Sequence, residues 1–156
     1  MKDKYSEQRL ALLHPKVRDT FRNFIDECES TFGITLRIMM GYRSIDEQNE
    51  LYSQGRTKPG KIVTNAKGGQ SFHNFGLAVD LCQMDEATDS EINWNYDMGT
   101  LQPIATKYGL EWGGSWVHIK DKPHFEARLG YPEDCAALLI KVQNGEVDEN
   151  GYINTL

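Results

Sequence analysis

Ser71-Phe72-His73-Asn74-Phe75-Gly76-Leu77-Ala78-Val79-Asp80-Leu81-Cys82 reads as a polar loop running into a strand. Strand alternation from Leu77 to Cys82 puts Ala78, Asp80 and Cys82 on one face, with His73 arriving from the loop before Gly76. A later stretch, Asp121-Lys122-Pro123-His124, leads into a second run of this kind. There His124 and Glu126 share a face while Phe125 turns to the core. Two strands that each carry ligand-type side chains on one face and apolar ones on the other predict a sheet with one chemical face.

The flanking segments supply the remaining layers. Val17, Phe21, Phe24, Ile25, Cys28 and Phe32 form one stripe over 15–32, with Pro15 in the first turn and Gly33 as the stop. A shorter helix is expected over 7–13 and a buried strand over 34–40. Ser44-Ile45-Asp46-Glu47 has the capping-box pattern and predicts a helix to about Gln54, closed by Gly55. Residues 56–70 read as a surface loop of functional length, and 83–97 as polar and irregular. A helix near 101–108 ended by Gly109, a Gly-Trp loop over 111–116, a C-terminal helix over 135–142 and a hairpin turn at Asp148-Glu149-Asn150-Gly151 complete the pass. Early helices and scattered strands predict α+β: a small antiparallel sheet flanked by helices, with a zinc site on the sheet.

At 156 residues the chain suits one domain, 1–156, without disulfide staples. Its 39% hydrophobic and 26% charged content argues against disorder. The net charge of -6, with no Lys/Arg cluster, disfavours nucleic acid. The N-terminus has no apolar signal region and no run approaches the ~20 residues of a membrane span. A protein made in the cytoplasm, with no membrane insertion and a monomeric state, is expected. Cys28, Cys82 and Cys135 are odd in number and far apart, which reads as reduced thiols.

Two imidazoles and one carboxylate, His73, His124 and Asp80, suit a zinc ion that keeps one position open, the layout of a catalytic rather than a structural site. Asp121, three residues before His124, is the base such a site needs, with Glu111 and Glu126 as alternatives. Glu126 is also a candidate partner for the second nitrogen of a ligating histidine. Small residues at Gly76 and Ala78 let the backbone approach an ion closely. Cys82 is the competing ligand, although a small buried hydrophobe fits it better. His14 and His118 lack this context, and His14 beside Pro15 suits a helix cap. Arg43, between a strand and a helix start, offers a guanidinium to a substrate carboxylate, and Trp112 and Trp116 are candidate cleft walls. The chain reads as a zinc hydrolase.

With these residues in view, the chain resembles the zinc D,D-carboxypeptidase and L-alanyl-D-glutamate endopeptidase family that cuts bacterial wall peptides, in its phage endolysin and autolysin branch. The likeness is carried by Ser71-x-His73-x-x-Gly76-x-Ala78-x-Asp80 and the later acid-x-x-His. Leu13-His14-Pro15, Gly41-Tyr42-Arg43-Ser44, Glu47-Gln48, Gly55-Arg56-Thr57, Glu111-Trp112-Gly113-Gly114 and Pro123-His124-Phe125-Glu126 extend it. It covers about 10–127, and the helix and hairpin of 131–156 carry no shared motif.

The resemblance implies His73, Asp80 and His124 as zinc ligands, Asp121 as base, and Arg43 and Ser71 as substrate contacts, and Gln48 is a further candidate substrate contact. It implies a peptidoglycan peptide as substrate, cut at the L-alanyl–D-glutamyl bond, after release of the protein to the wall or periplasm. The carboxypeptidase branch has Glu where this chain has Asp121. The D-alanyl-D-alanine carboxypeptidase activity, and a non-catalytic zinc-stabilised wall-binding module, are the alternatives.

Overall fold

Asp3 begins the first helix, α1 (Lys4–Leu10), by accepting the backbone N–H and hydroxyl of Ser6, both at 2.8 Å. The computed structural model describes residues 1–85, 91–129 and 135–154. Helix α1 thus lies three residues upstream of its expected place, because the Asp3 cap outweighs the weak periodicity of 7–13. Helix α2 (Pro15–Phe32) has the expected bounds, with Gly33 in the left-handed conformation at φ 66°. Val17, Phe21, Phe24, Ile25 and Cys28 are fully buried, whereas Phe32 is 41% exposed at the helix end. Glu29 takes the last inward position and accepts the backbone N–H of Lys2 and Leu36.

Among the described residues four antiparallel strands follow: β1 (Thr35–Met40), β2 (Ala78–Met84), β3 (Leu110–Trp112) and β4 (His124–Ala127), in the order β1-β2-β4-β3. Between them lie α3 (Ile45–Ser53), α4 (Gln102–Lys107) and, after the sheet, α5 (Cys135–Gln143). The Ser44–Glu47 capping box forms in both directions. A strand replaces the first part of the expected Gly-Trp loop over 111–116, since Glu111 and Trp112 pair with Glu126 and Phe125. Its three residues were too few for alternation to show. The turn at 148–151 forms as expected, with Asp148 N–H donating to the Tyr152 carbonyl at 2.7 Å. Residues 86–90 of the expected irregular stretch, and 131–134 of the C-terminal segment, lie outside the described residues.

Strand β1 is an edge strand rather than a wholly buried one, and its exposed edge is closed locally. Ser6 Oγ accepts the Ile38 N–H at 2.8 Å and Glu29 accepts that of Leu36 at 3.0 Å. Free N–H groups that invite pairing with another chain are thereby consumed. Asp3 also receives Arg37 Nε and Nη2 at 3.0 and 2.8 Å, which locks α1 to β1. Burial tends to raise the Asp3 carboxyl, but hydrogen bonds from Arg37 and Ser6 prevail and hold it below the usual range.

Asp3→Ala is therefore expected to cost about 1–3 kcal/mol at pH 7 in urea unfolding, through loss of a cap and a charged hydrogen-bond set. Because the folded-state pKa is depressed, this contribution is present above about pH 4 and is lost as pH falls through the folded value. The gap between variant and wild type should narrow at pH 3. A gap that is the same at both pH values contradicts this account.

The core fills one side of the sheet, where Phe24 of α2 meets Phe125 of β4 at 5.1 Å between ring centroids. Val79, Leu81 and Phe125 are almost completely buried there. Register then fixes what the other side carries: Asp80 stands directly opposite His124, and Ala78 opposite Glu126. Directly paired residues share a face, so the two proposed ligands on strands are brought together by backbone pairing alone.

Candidate active site

The third ligand arrives on a short 3-10 turn, Phe72–Phe75, capped by Ser71, whose hydroxyl accepts the His73 N–H. Gly76 ends this turn at φ 69°, and a Cβ there would stand 2.7 Å from the His14 backbone nitrogen. The glycine is thus required by a left-handed cap and a close pass of the chain at His14, not by approach to an ion as expected. His14 caps α2 with its ring. The turn is laced to 41–44: Arg43 N–H donates to the His73 carbonyl at 3.1 Å, and Asn74 Nδ2 donates to the Arg43 carbonyl at 2.9 Å. Asn74 also accepts the Gly69 N–H. Sequence reasoning missed Asn74, because a buried amide within a turn has no pattern of its own.

His73 Nε2, Asp80 Oδ1 and His124 Nδ1 lie within 4.8 Å of one another, with Asp80 Oδ1 3.1 Å from each nitrogen. The outward nitrogen of each ring is pinned. His73 Nδ1 donates to the Gly41 carbonyl at 2.7 Å, and His124 Nε2 donates to Glu126 at 3.0 Å. Since a carbonyl and a carboxylate only accept, each neutral ring must turn a lone pair inward, toward Asp80. Three electron-rich atoms then face one another in a largely buried place, and a small cation resolves the repulsion. The donor set fits zinc, including the outer-nitrogen partners that ligating histidines usually have.

The electrostatics agree. When the inner ring nitrogens carry hydrogens instead of facing a cation, burial tends to raise Asp80, yet hydrogen bonds from His124 and His73 drive it well below the usual carboxylate range. Burial would lower His124, but its bonds to Asp80 and Glu126 carry it up to about 9. The site attracts positive charge, whether a proton or a metal.

Among the described residues the cluster comprises these three donors, so Cys82 does not close it. Cys82 lies on the same face but further along β2, buried, with Sγ 3.8 Å from Met84 Sδ. Its thiol is pushed up to about 11 by burial, which also removes it as a nucleophile.

A cleft of about 850 Å3 opens over the cluster, lined among others by Arg43, Ser71, Trp116, Asp121 and, from the 56–70 loop, Val63 and Thr64. Asp121 is held through its backbone, its N–H on the Gly113 carbonyl and its own carbonyl under the His124 N–H. A Cβ at Gly113 would stand 2.6 Å from the Asp121 carbonyl oxygen, so this loop approach needs glycine. Burial pushes the Asp121 carboxyl up and Asp80 adds to the rise, against His124, His73 and Arg43. The rival bases are occupied: Glu126 holds His124 and Arg128, and Glu111 holds Arg128 and Trp116.

Two expected substrate contacts lie elsewhere. Gln48 is fully buried behind Arg43, accepting Arg43 Nη1 at 2.8 Å and donating to the Ala66 carbonyl. Trp112 braces the Asp121 loop from behind, its indole N–H on the Lys122 carbonyl at 2.7 Å, and does not line the cleft. Trp116 does form the wall, its ring 5.2 Å from that of His124. Arg43 Nε is buried and, among the described residues, without a partner. A buried guanidinium N–H in that state is costly unless a ligand accepts it.

Gln48→Leu is expected to lower kcat/KM about tenfold or more with zinc content unchanged, because it frees the guanidinium from its orienting acceptor. A variant with kcat/KM within twofold of wild type contradicts that role for Gln48.

A His-Asp-His donor set, two members on paired strands and one on the adjoining turn, beside a desolvated carboxylate, is of the kind that can hold a zinc ion with one position left open. The chain belongs to the VanY family, D-alanyl-D-alanine carboxypeptidase, whose pattern matches residues 10–124. It is 42% identical over 122 residues to the peptidoglycan L-alanyl-D-glutamate endopeptidase CwlK of Bacillus subtilis (strain 168), covering 73% of this chain and 72% of that one. Its fold is similar to that of the Serratia marcescens L-Ala D-Glu endopeptidase ChiX, with a TM-score of 0.59 at 24% identity over 83% of this chain and 92% of that one. It is also similar to a vancomycin-resistance D,D-pentapeptidase VanY mutant in complex with Zn(II), with a TM-score of 0.53 at 17% identity over 74% and 72% of the two chains. Among the described residues, no helix is long and apolar enough to cross a membrane.

Proposed function

We propose that this protein is a zinc-dependent peptidoglycan peptidase that hydrolyses the L-alanyl–D-glutamyl bond of wall stem peptides, with His73, Asp80 and His124 as the metal ligands. The observation that carries the reading is the convergence of those three donors, each imidazole pinned from behind, under a cleft that also holds Asp121 and Arg43. The kinship with CwlK supports the choice of bond.

Held by His73, Asp80 and His124, a zinc ion would supply Lewis acidity for the scissile carbonyl and for water near neutral pH. Asp121, raised by burial, takes the proton of the attacking water and delivers it to the leaving amine. Arg43, held by Gln48, grips the free α-carboxylate of the D-glutamyl residue, which lies beside the scissile amide because that residue is linked onward through its side chain. Ser71 stands at the cleft wall as a further polar contact, and Trp116 shields the His124 side from water.

A terminal D-alanyl-D-alanine also places a carboxylate next to the scissile amide, and the family description favours that second reading. Digestion of purified peptidoglycan separates the two. New L-alanyl C-termini and D-glutamyl N-termini support the endopeptidase, whereas release of free D-alanine supports the carboxypeptidase. The protein acts at the wall, after release from the cell that makes it.

A further inference from the structure

Behind the metal ligands, the polar side chains of β3 and β4 close into a circuit. His124 Nε2 meets Glu126 Oε2 at 3.0 Å, and Glu126 Oε1 accepts Arg128 Nε at 2.7 Å. Arg128 Nε also stands 3.0 Å from Glu111 Oε2, and Glu111 Oε1 accepts the Trp116 indole N–H at 2.6 Å. The Trp116 ring returns to the ring of His124, 5.2 Å away.

Register explains why Arg128 is needed. Glu111 pairs directly with Glu126 across β3 and β4, which sets two carboxylates side by side on one face. Like charges so placed repel, and Glu126 is almost fully buried, where an unpaired charge is costly. The guanidinium of Arg128 sits between them, with its Cζ 5.3 Å from the centroid of the Phe72 ring, next to His73 in the chain. Without it, Glu126 loses the partner that fixes its other oxygen and is pushed away from Glu111, which frees the outer nitrogen of His124.

We infer that Glu111 and Arg128 are positioning residues that couple the cleft wall at Trp116 to the orientation of His124, so that substrate seated against Trp116 and metal held by His124 sense one another. The inference rests on the reading of His73, Asp80 and His124 as a zinc centre. Neither residue belongs to the donor cluster. They act through Glu126, in the way that partners behind metal ligands commonly set affinity by 10–100-fold.

The test is zinc affinity by competition against a chromogenic chelator, with zinc alone as probe. Arg128→Met keeps the stem over Phe72 and should bind zinc about 10–100-fold more weakly than wild type. Adding Glu111→Ala removes the opposing charge and should recover part of that loss, a suppression that a merely structural defect does not give. An Arg128→Met affinity within threefold of wild type, or losses that simply add, overturns the coupling. Should Arg128→Met fail to fold, Glu111→Ala alone carries the test. The zinc-dependent change in indole emission that Trp116→Phe removes should fall by at least half in Glu111→Ala, and an unchanged response overturns the proposal. Weakened zinc binding in His73→Ala but not in Arg128→Met overturns the coupling alone. Unchanged binding in both overturns the metal reading with it.

Discussion

His73→Ala is expected to leave a folded protein that retains no stoichiometric zinc after dialysis and releases no peptide from bacterial walls. Its imidazole is one of three convergent donors, and it is the one set from outside the sheet, by Gly41 and the Ser71 cap. Removing it leaves two donors, Asp80 and His124, facing each other on paired strands. Metal retention and hydrolysis should fall together, by several orders of magnitude in rate, since the Lewis acid and the activated water are lost at once. Zinc content by atomic emission and wall turbidity measure the two effects. Full lysis by a metal-free variant contradicts the assignment.

Asp121→Ala should separate those two quantities. Its carboxylate lies at the cleft but outside the donor cluster, so zinc content should match wild type. Turnover should fall about 10²–10⁴-fold, the range for a lost acid–base group. The backbone of the loop it sits on is held by the Gly113 carbonyl and the Trp112 indole N–H, which the substitution leaves in place. Near-normal turnover would move the proton-transfer role to Glu111 or Glu126. That outcome is disfavoured, because both are already engaged with Arg128.

Much of this architecture was legible in the chain because short-range signals happened to be strong. Pro15 and Gly33 bracket α2 to the residue, and the Ser44–Glu47 box sets the start of α3. Alternation placed Asp80 and His124 on polar faces, and β2–β4 register then made them neighbours. Pairing register is a non-local property, which the resemblance implied and local pattern did not. What stayed hidden is of the same non-local kind. Gln48 carries no mark that distinguishes an amide touching substrate from one buried behind Arg43. Trp112 and Trp116 look equivalent along the chain, yet three residues of strand turn one toward the back of the Asp121 loop and the other toward the cleft. Arg128 follows Glu126 at strand spacing, but its value appears only once Glu111 is seen across the sheet.

The most direct test of the central claim is digestion of purified peptidoglycan by wild-type protein, with and without a zinc chelator, and identification of the new termini by mass spectrometry. The expected result is separation of L-alanine from D-glutamate, stopped by chelator and restored by zinc. Cleavage that chelator leaves unaffected, or walls that yield no new peptide termini at all, would contradict it.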